Sequence, residues 1–211
     1  MKVGALVPFK CFTRAKKRLR SHFSDAEVEE LGRAMLADVL SALRGAALDA
    51  VVVLTDDVAV AEVARAAGAR VQVRAPDPGL NAAIELGSAE LAQEGFDAVL
   101  VVLGDLPLLQ AADIDRVLEH ARACDVLVVP AADGGTAMLW RRPPACMPAA
   151  FGEDSAAVHV ARARARGLAV VRFDALPEEL RVDLDTPEDA VRLLRTERPC
   201  RTRDVLEKLR P

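Results

Sequence analysis

The sequence predicts an α/β fold, a mostly parallel sheet covered by helices on both faces. Runs such as VVVLT (51–55) and AVLVVL (98–103) are continuously apolar rather than alternating, the pattern of strands buried on both sides. Helical stretches with recognisable start and stop signals separate them, and short connections between the two imply right-handed crossovers. The chain has 211 residues, enough for one domain with a real core.

The elements follow in order. Strands are expected at Val3–Val7, Ala50–Thr55, Arg70–Val73, Ala98–Leu103, Asp125–Pro130, Thr136–Trp140 and Ala169–Phe173. Ser24-Asp25-Ala26-Glu27 is a capping box that opens a helix running to about Leu43. Further helices are expected from Asp57 to Ala67, stopping at Gly68, from Asn81 to Glu94, stopping at Gly95, and from Gln110 to Ala123. No repeat or linker divides the chain, so residues 1–211 read as one domain, with a core to about 196 and a short tail that could form a last helix.

Composition narrows the function. The net charge of −4 gives no global attraction to nucleic acid. No apolar run approaches the roughly 18 residues that span a membrane. The positive cluster follows the first apolar run, the reverse of a secretory signal. Cys11, Cys124, Cys146 and Cys200 are scattered without a C-x-x-C pair, which argues against zinc or a disulfide framework and for a reducing cytoplasm.

Ligands of open α/β sheets sit at the carboxyl ends of the strands, so the loops there are the ones to read. The first, PFKCFTRAKKRLR, holds six cations between Lys10 and Arg20 and no acid. Such a run is either a solvated helix start or a cradle for a triphosphate. Neither G-x-x-x-x-G-K-[ST] nor G-x-G-x-x-G follows a strand, which excludes a P-loop and weakens a dinucleotide-binding reading. The fourth strand ends in GDLPLL. Gly104 permits a close backbone approach, Asp105 stands at the strand end and Pro107 stops the strand. A strand-end carboxylate beside cations suits a Mg²⁺–phosphate site, and it also suits a plain turn.

The stretch VDLDTPED (182–189) packs four carboxylates into eight positions. Thr186, Pro187, Glu188 and Asp189 make a helix start, with Thr as N-cap and Asp189 at the capping-box position. Asp183 and Asp185, two apart, share a face of an extended segment and with Asp105 could converge on a cation. PAADGGTAML offers Gly134-Gly135 and Thr136 either as backbone donors or as a hairpin turn. FGEDSAAVH offers Gly152 and Ser155 at a helix start, where amides and hydroxyls could make an anion pocket. His159 reads as a partly exposed surface histidine unless it belongs to that pocket. Asn81 is either an N-cap or an amide offered to a base or ribose.

Taken in order, PFKCFTRAKKRL, GLNAAI, GDLPLL, DGGTAML, FGEDSAAVH and DLDTPED resemble the 2-phospho-L-lactate and phosphoenolpyruvate guanylyltransferases of coenzyme F-420 biosynthesis. Those belong to the wider molybdopterin-guanine-dinucleotide-synthase-like nucleotidyltransferases. The resemblance implies a Rossmann-like, GT-A-like nucleotidyltransferase domain using GTP and Mg²⁺. It implies Mg²⁺ on Asp105, Asp183 and Asp185. Thr136, Gly152 and Ser155, with Asn81, would contact substrate, and Lys10, Lys16 and Arg18 would lie near the nucleotide phosphates. The acceptor could be phosphoenolpyruvate, 2-phospho-L-lactate or 3-phospho-D-glycerate, which the motifs do not separate. A two-fold homodimer is the default assembly, with no nucleic-acid or membrane partner.

Two other readings are weighed against this one. A GT-A-like glycosyltransferase also uses Asp-x-Asp, but DLD lies near the C-terminus, whereas such motifs follow the first nucleotide-binding half. A non-catalytic nucleotide-binding domain would be expected to lack the acids that this chain keeps.

Overall fold

The computed structural model of the chain describes residues 1–12, 18–73 and 77–209. Seven strands form a single sheet: β1 (Val3–Pro8), β2 (Ala50–Thr55), β3 (Arg70–Val73), β4 (Ala98–Val102), β5 (Val126–Pro130), β6 (Thr136–Arg141) and β7 (Val170–Arg172). Their order is β3-β2-β1-β4-β6-β5-β7, and only β6 runs antiparallel to its neighbours. Every strand expected from the apolar runs is present, within two residues at each end.

The continuous apolar runs have the expected cause. In β4, Leu100 and Val102 belong to one core cluster and Val99 and Val101 to the other, and none of the four is solvent-exposed. The first cluster is closed by α1 (Asp25–Gly45), α2 (Val58–Ala66), α4 (Ala111–Ala121), α6 (Pro187–Arg195) and α7 (Arg201–Leu209). The second is closed by α3 (Leu80–Gln93) and α5 (Ser155–Ala165). Val28, Leu31, Met35, Val39 and Leu43 of α1 recur at helical spacing and are all buried in the first cluster.

The caps form as their residue types require. The Ser24 hydroxyl accepts from the Glu27 amide, and the Glu27 carboxylate accepts from the Ser24 amide at 2.7 Å. At α6 the Asp189 carboxylate accepts the Thr186 amide (2.8 Å) and hydroxyl (2.7 Å), the capping box expected of TPED.

The C-terminal segment is not a loose tail. Asp38, buried in the middle of α1, accepts from the Arg201 and Thr202 amides at 2.9 Å and from the Thr202 hydroxyl at 2.7 Å. A side chain from one helix thus caps another, and Leu206 joins the main core. Hydrophobic contacts and this distant cap join residues 201–209, beyond the core expected to about 196, to that core as a last helix.

The connections β1→β2→β3 run to one side of β1, while β4 lies on the other. The switch point between β1 and β4 therefore opens a crevice at the strands' carboxyl ends. Because β6 is antiparallel, its first residue, Thr136, arrives at that same end.

Candidate active site

Beyond β1 the chain continues as Phe9-Lys10, and beyond β4 as Leu103-Gly104-Asp105. These two exits and Asp185 line one cavity of about 300 Å³, closed on one side by Leu80 of α3. Gly104 is required here. A Cβ at 104 would fall inside the van der Waals envelope of the Phe9 ring and lie 3.3 Å from Val7 Cγ1. The Leu184 amide meets the Asp105 carbonyl at 3.4 Å, so the main chain brings the two acidic segments side by side. Asp105 Oδ1 is shielded from solvent. Lys10 lines this cavity and a smaller one of about 30 Å³ between β2 and α3, where its Nζ stands 2.8 Å from Asp77 Oδ2.

A second cavity, of about 230 Å³, adjoins the first across Leu80 and Leu103. It brings together Thr136, Gly152 and Ser155, the three residues singled out in the sequence, with Asp183 and Arg181. Leu184 is buried, so Asp183 and Asp185 flank it as an extended segment allows, but they line adjoining cavities rather than one. Among the described residues, no group of three or more His, Cys, Asp and Glu side chains stands ready to hold a metal ion. Asp105 and Asp185 share a cavity, and Asp183 faces its neighbour.

The other sequence expectations sort clearly. Arg18 is exposed at the start of a short 3₁₀ turn (Leu19–Ser21), where its carbonyl accepts the Ser21 hydroxyl at 2.8 Å; neither cavity lined by Lys10 includes it. Lys16 lies outside the described residues. Asn81 is not an N-cap. Gly79 holds that position, at φ 86°, and Asn81 sits inside α3. Its amide clasps Phe151, donating to the Phe151 carbonyl (3.1 Å) and accepting from its amide (2.7 Å). That ties α3 to the wall of the second cavity.

The Gly134-Gly135 pair is the hairpin turn of β5–β6. The Gly134 amide donates to the Ala131 carbonyl (3.2 Å) and the Gly135 amide to Asp133 Oδ1 (2.9 Å), so neither is offered to a ligand. The start of α5 is also engaged. The amides of Ser155, Ala156, Ala157 and Val158 donate to Gly152, Gly134 and Asp154 carbonyls. The first four amides of the helix are therefore used within the chain, and beside them the helix start offers an anion its dipole and the Ser155 side chain. Gly152 adopts φ 147° with open space where a Cβ would go, so conformation rather than crowding selects glycine there.

Arg181 was missed in the sequence. Arg181 ends a 3₁₀ turn (Glu178–Arg181) stitched to the β5–β6 hairpin. Its Nη1 donates to the Pro130 carbonyl at 2.9 Å, and its own carbonyl accepts the Ala132 amide at 3.2 Å. The buried Arg181 Nε has no hydrogen-bond partner among the described residues, and Arg181 lines the second cavity. A lone arginine ahead of VDLD carries no spacing signal that could have marked it.

His159 is not on the surface but fully buried, its ring meeting Phe151 edge-on at 5.1 Å. Burial, helped by the nearby positive charges of Arg141 and Arg162, pushes its pKa from 6.5 down to about 4, so it is neutral at physiological pH. The loop before α5 is pinned at three successive amides. Ala149 donates to Glu85 (2.9 Å), Ala150 to His159 Nε2 (2.8 Å) and Phe151 to Asn81. Glu85 is itself held by the buried Arg141, at 2.6 Å.

Carboxylates and a lysine line one cavity at this switch point, and Thr136, Ser155 and Arg181 line the other, on a nucleotidyltransferase-like fold. Solved structures share the fold. A Desulfovibrio desulfuricans G20 protein assigned to the nucleotide-diphospho-sugar transferases superposes with TM-score 0.80 at 19% identity, over 99% of this chain and 95% of that one. A cytidylyltransferase from Leptospira borgpetersenii gives 0.63 at 16% identity, over 99% and 94%.

The chain belongs to the family described as Guanylyl transferase CofC like, whose model matches residues 2–211. It is 46% identical to the 3-phospho-D-glycerate guanylyltransferase of Phenylobacterium zucineum, over 93% of this chain and 91% of that protein. It is 38% identical to the 2-phospho-L-lactate guanylyltransferase of Methanothermobacter thermautotrophicus, over 100% and 92%. It is 42% identical to the phosphoenolpyruvate guanylyltransferase of Rubrobacter xylanophilus, over 92% and 94%. No described helix is long and apolar enough to cross a membrane.

Proposed function

We propose that this guanylyltransferase moves GMP from GTP onto the phosphate of a small three-carbon phosphorylated acid, releasing pyrophosphate, in the cytoplasmic synthesis of coenzyme F-420. The observation that carries the reading is the pair of adjoining cavities. One is lined by Lys10, Asp105 and Asp185 and suits nucleotide phosphates. The other, with Thr136, Ser155 and Arg181, suits an anionic acceptor.

The chemistry asks little of acid–base groups. An anionic phosphate oxygen of the acceptor attacks the α-phosphorus in line. A new P–O bond forms, the bond to the bridging oxygen of the β-phosphate breaks, and pyrophosphate departs. The nucleophile carries no proton at neutral pH, so no general base is needed. The protein contributes positioning and charge. Lys10 must leave Asp77 or share it to reach a phosphate, and Arg181 and Ser155 orient the acceptor.

Asp105 and Asp185 would hold Mg²⁺, with Asp183 reaching it from the acceptor side. All are hard oxygen donors, and Mg²⁺ needs only one or two carboxylates when phosphates complete its shell. Bound there, it would supply the neutralisation that two phosphate anions need to meet.

Pyrophosphate release tests the reading. GTP with each of 3-phospho-D-glycerate, phosphoenolpyruvate and 2-phospho-L-lactate should give release with one acid, and ATP or CTP should give little. Silence with all three acids would remove the acceptor assignment.

A further inference from the structure

Thr136, Ser155 and His159 form a buried hydrogen-bond chain whose direction can be read from one end. Thr136 Oγ1 lies 2.9 Å from Ser155 Oγ and 2.9 Å from His159 Nδ1. The far ring nitrogen, Nε2, faces the Ala150 amide at 2.8 Å. An amide can only donate, so Nε2 must be bare and the ring proton must sit on Nδ1.

The rest follows by counting donors. His159 Nδ1–H donates to Thr136 Oγ1. Thr136 is buried, and among the described residues its hydroxyl hydrogen has one acceptor in reach, Ser155 Oγ. Ser155 Oγ is therefore already an acceptor, and its own hydrogen is left to point into the second cavity, which it lines. The opposite direction would leave the Thr136 hydrogen buried without an acceptor, and would turn a Ser155 lone pair toward the ligand. The amides of Ser155 to Val158 are engaged, so this hydroxyl is the donor that the first residue of the helix has to give.

We propose that His159 is a positioning residue for the acceptor: held in its Nδ1–H form by the Ala150 amide, it polarises the chain so that Ser155 presents a hydrogen to an anionic oxygen. The class of ligand selected is a phosphate or carboxylate oxygen, and a neutral hydrogen-bond donor is disfavoured at that point. This rests on the acceptor reading given above. His159 also fastens Ala150, so one ring fixes both the loop and the hydroxyl that face the same cavity.

The test compares His159→Phe, which fills the space and cannot donate, with His159→Gln, whose carboxamide can accept from Ala150 and donate to Thr136. KM for the active acid should rise about tenfold or more in His159→Phe, with kcat and KM for GTP within about twofold, and His159→Gln should recover most of the loss. An unchanged KM for the acid in His159→Phe, or no recovery in a folded His159→Gln, overturns the proposal.

A second measurement does not depend on activity. Nitrogen-15 NMR of the histidines at neutral pH should show His159 protonated at Nδ1 and bare at Nε2. The Nε2–H form would overturn the proposal, even if the wild-type protein proved silent with every acid. Silence joined to the Nδ1–H form would instead remove only the acceptor assignment and leave the direction of the chain established.

Discussion

Gly104 lies so close against the ring of Phe9 that no side chain fits between the two strand exits. Phe9 leads into Lys10 and Gly104 into Asp105, so this one contact sets the spacing of a cation and a carboxylate that share a cavity. Gly104→Ala should cost about 1–3 kcal/mol of stability through overpacking. It should also lower kcat at least tenfold by displacing Asp105. Phe9→Leu in the same chain should restore part of both, as thermal melts and pyrophosphate release will show.

The carboxylates separate by cavity. Asp105→Asn and Asp185→Asn should each reduce turnover by a factor of at least about a hundred, while melting within a few degrees of wild type. Asp183→Asn should act more on KM for the acid, because Asp183 lines the cavity proposed for the acceptor. Near-normal turnover in either of the first two variants would sink the Mg²⁺ assignment.

Arg181 brings its positive charge to the cavity proposed for the acceptor. Arg181→Met should raise KM for the acid about tenfold or more and leave KM for GTP unchanged. Steady-state kinetics with each substrate varied in turn decides this. An equal rise in both KM values would place Arg181 elsewhere in the mechanism.

His159 also makes stability depend on pH. Its pKa is depressed from 6.5 to about 4 in the native protein. Above about pH 6.5 it is neutral in both states, and its contribution is complete. As pH falls from there toward 4 the unfolded chain takes up a proton that the native ring refuses, so stability declines, by roughly 3 kcal/mol in all, and then levels. Urea midpoints between pH 7.5 and 4.5 should show this slope in the wild type and a shallower one in His159→Gln.

Asp38 satisfies the first amides of α7 and the Thr202 hydroxyl from 163 and 164 positions away. Asp38→Ala leaves those donors buried and should destabilise the protein by about 1–3 kcal/mol. Turnover at low temperature should survive, because α7 lies on the face of the sheet away from α5, whose Ser155 lines the cavity proposed for the acceptor. Hydrogen exchange should rise first in residues 201–209.

The sequence by itself determined the strands, the capped helices and the candidate site residues that the fold then brings to two adjoining cavities. These are local facts: burial on both faces forces continuous apolar runs, and a cap lies within three residues of what it caps. Thr136, Gly152, Ser155, Asp105 and Asp185 were legible because they stand at strand ends and helix starts. The tertiary structure alone decided how they are divided between cavities, with Asp185 lining the first and Asp183 the second on either side of the buried Leu184. It alone gave Asn81 to Phe151, Asp38 to α7 and His159 to Thr136, pairs 70, 164 and 23 positions apart. A hydrogen bond between distant segments leaves no period in the chain. Its direction depends on which groups can only donate, and that is known once the fold has brought them together.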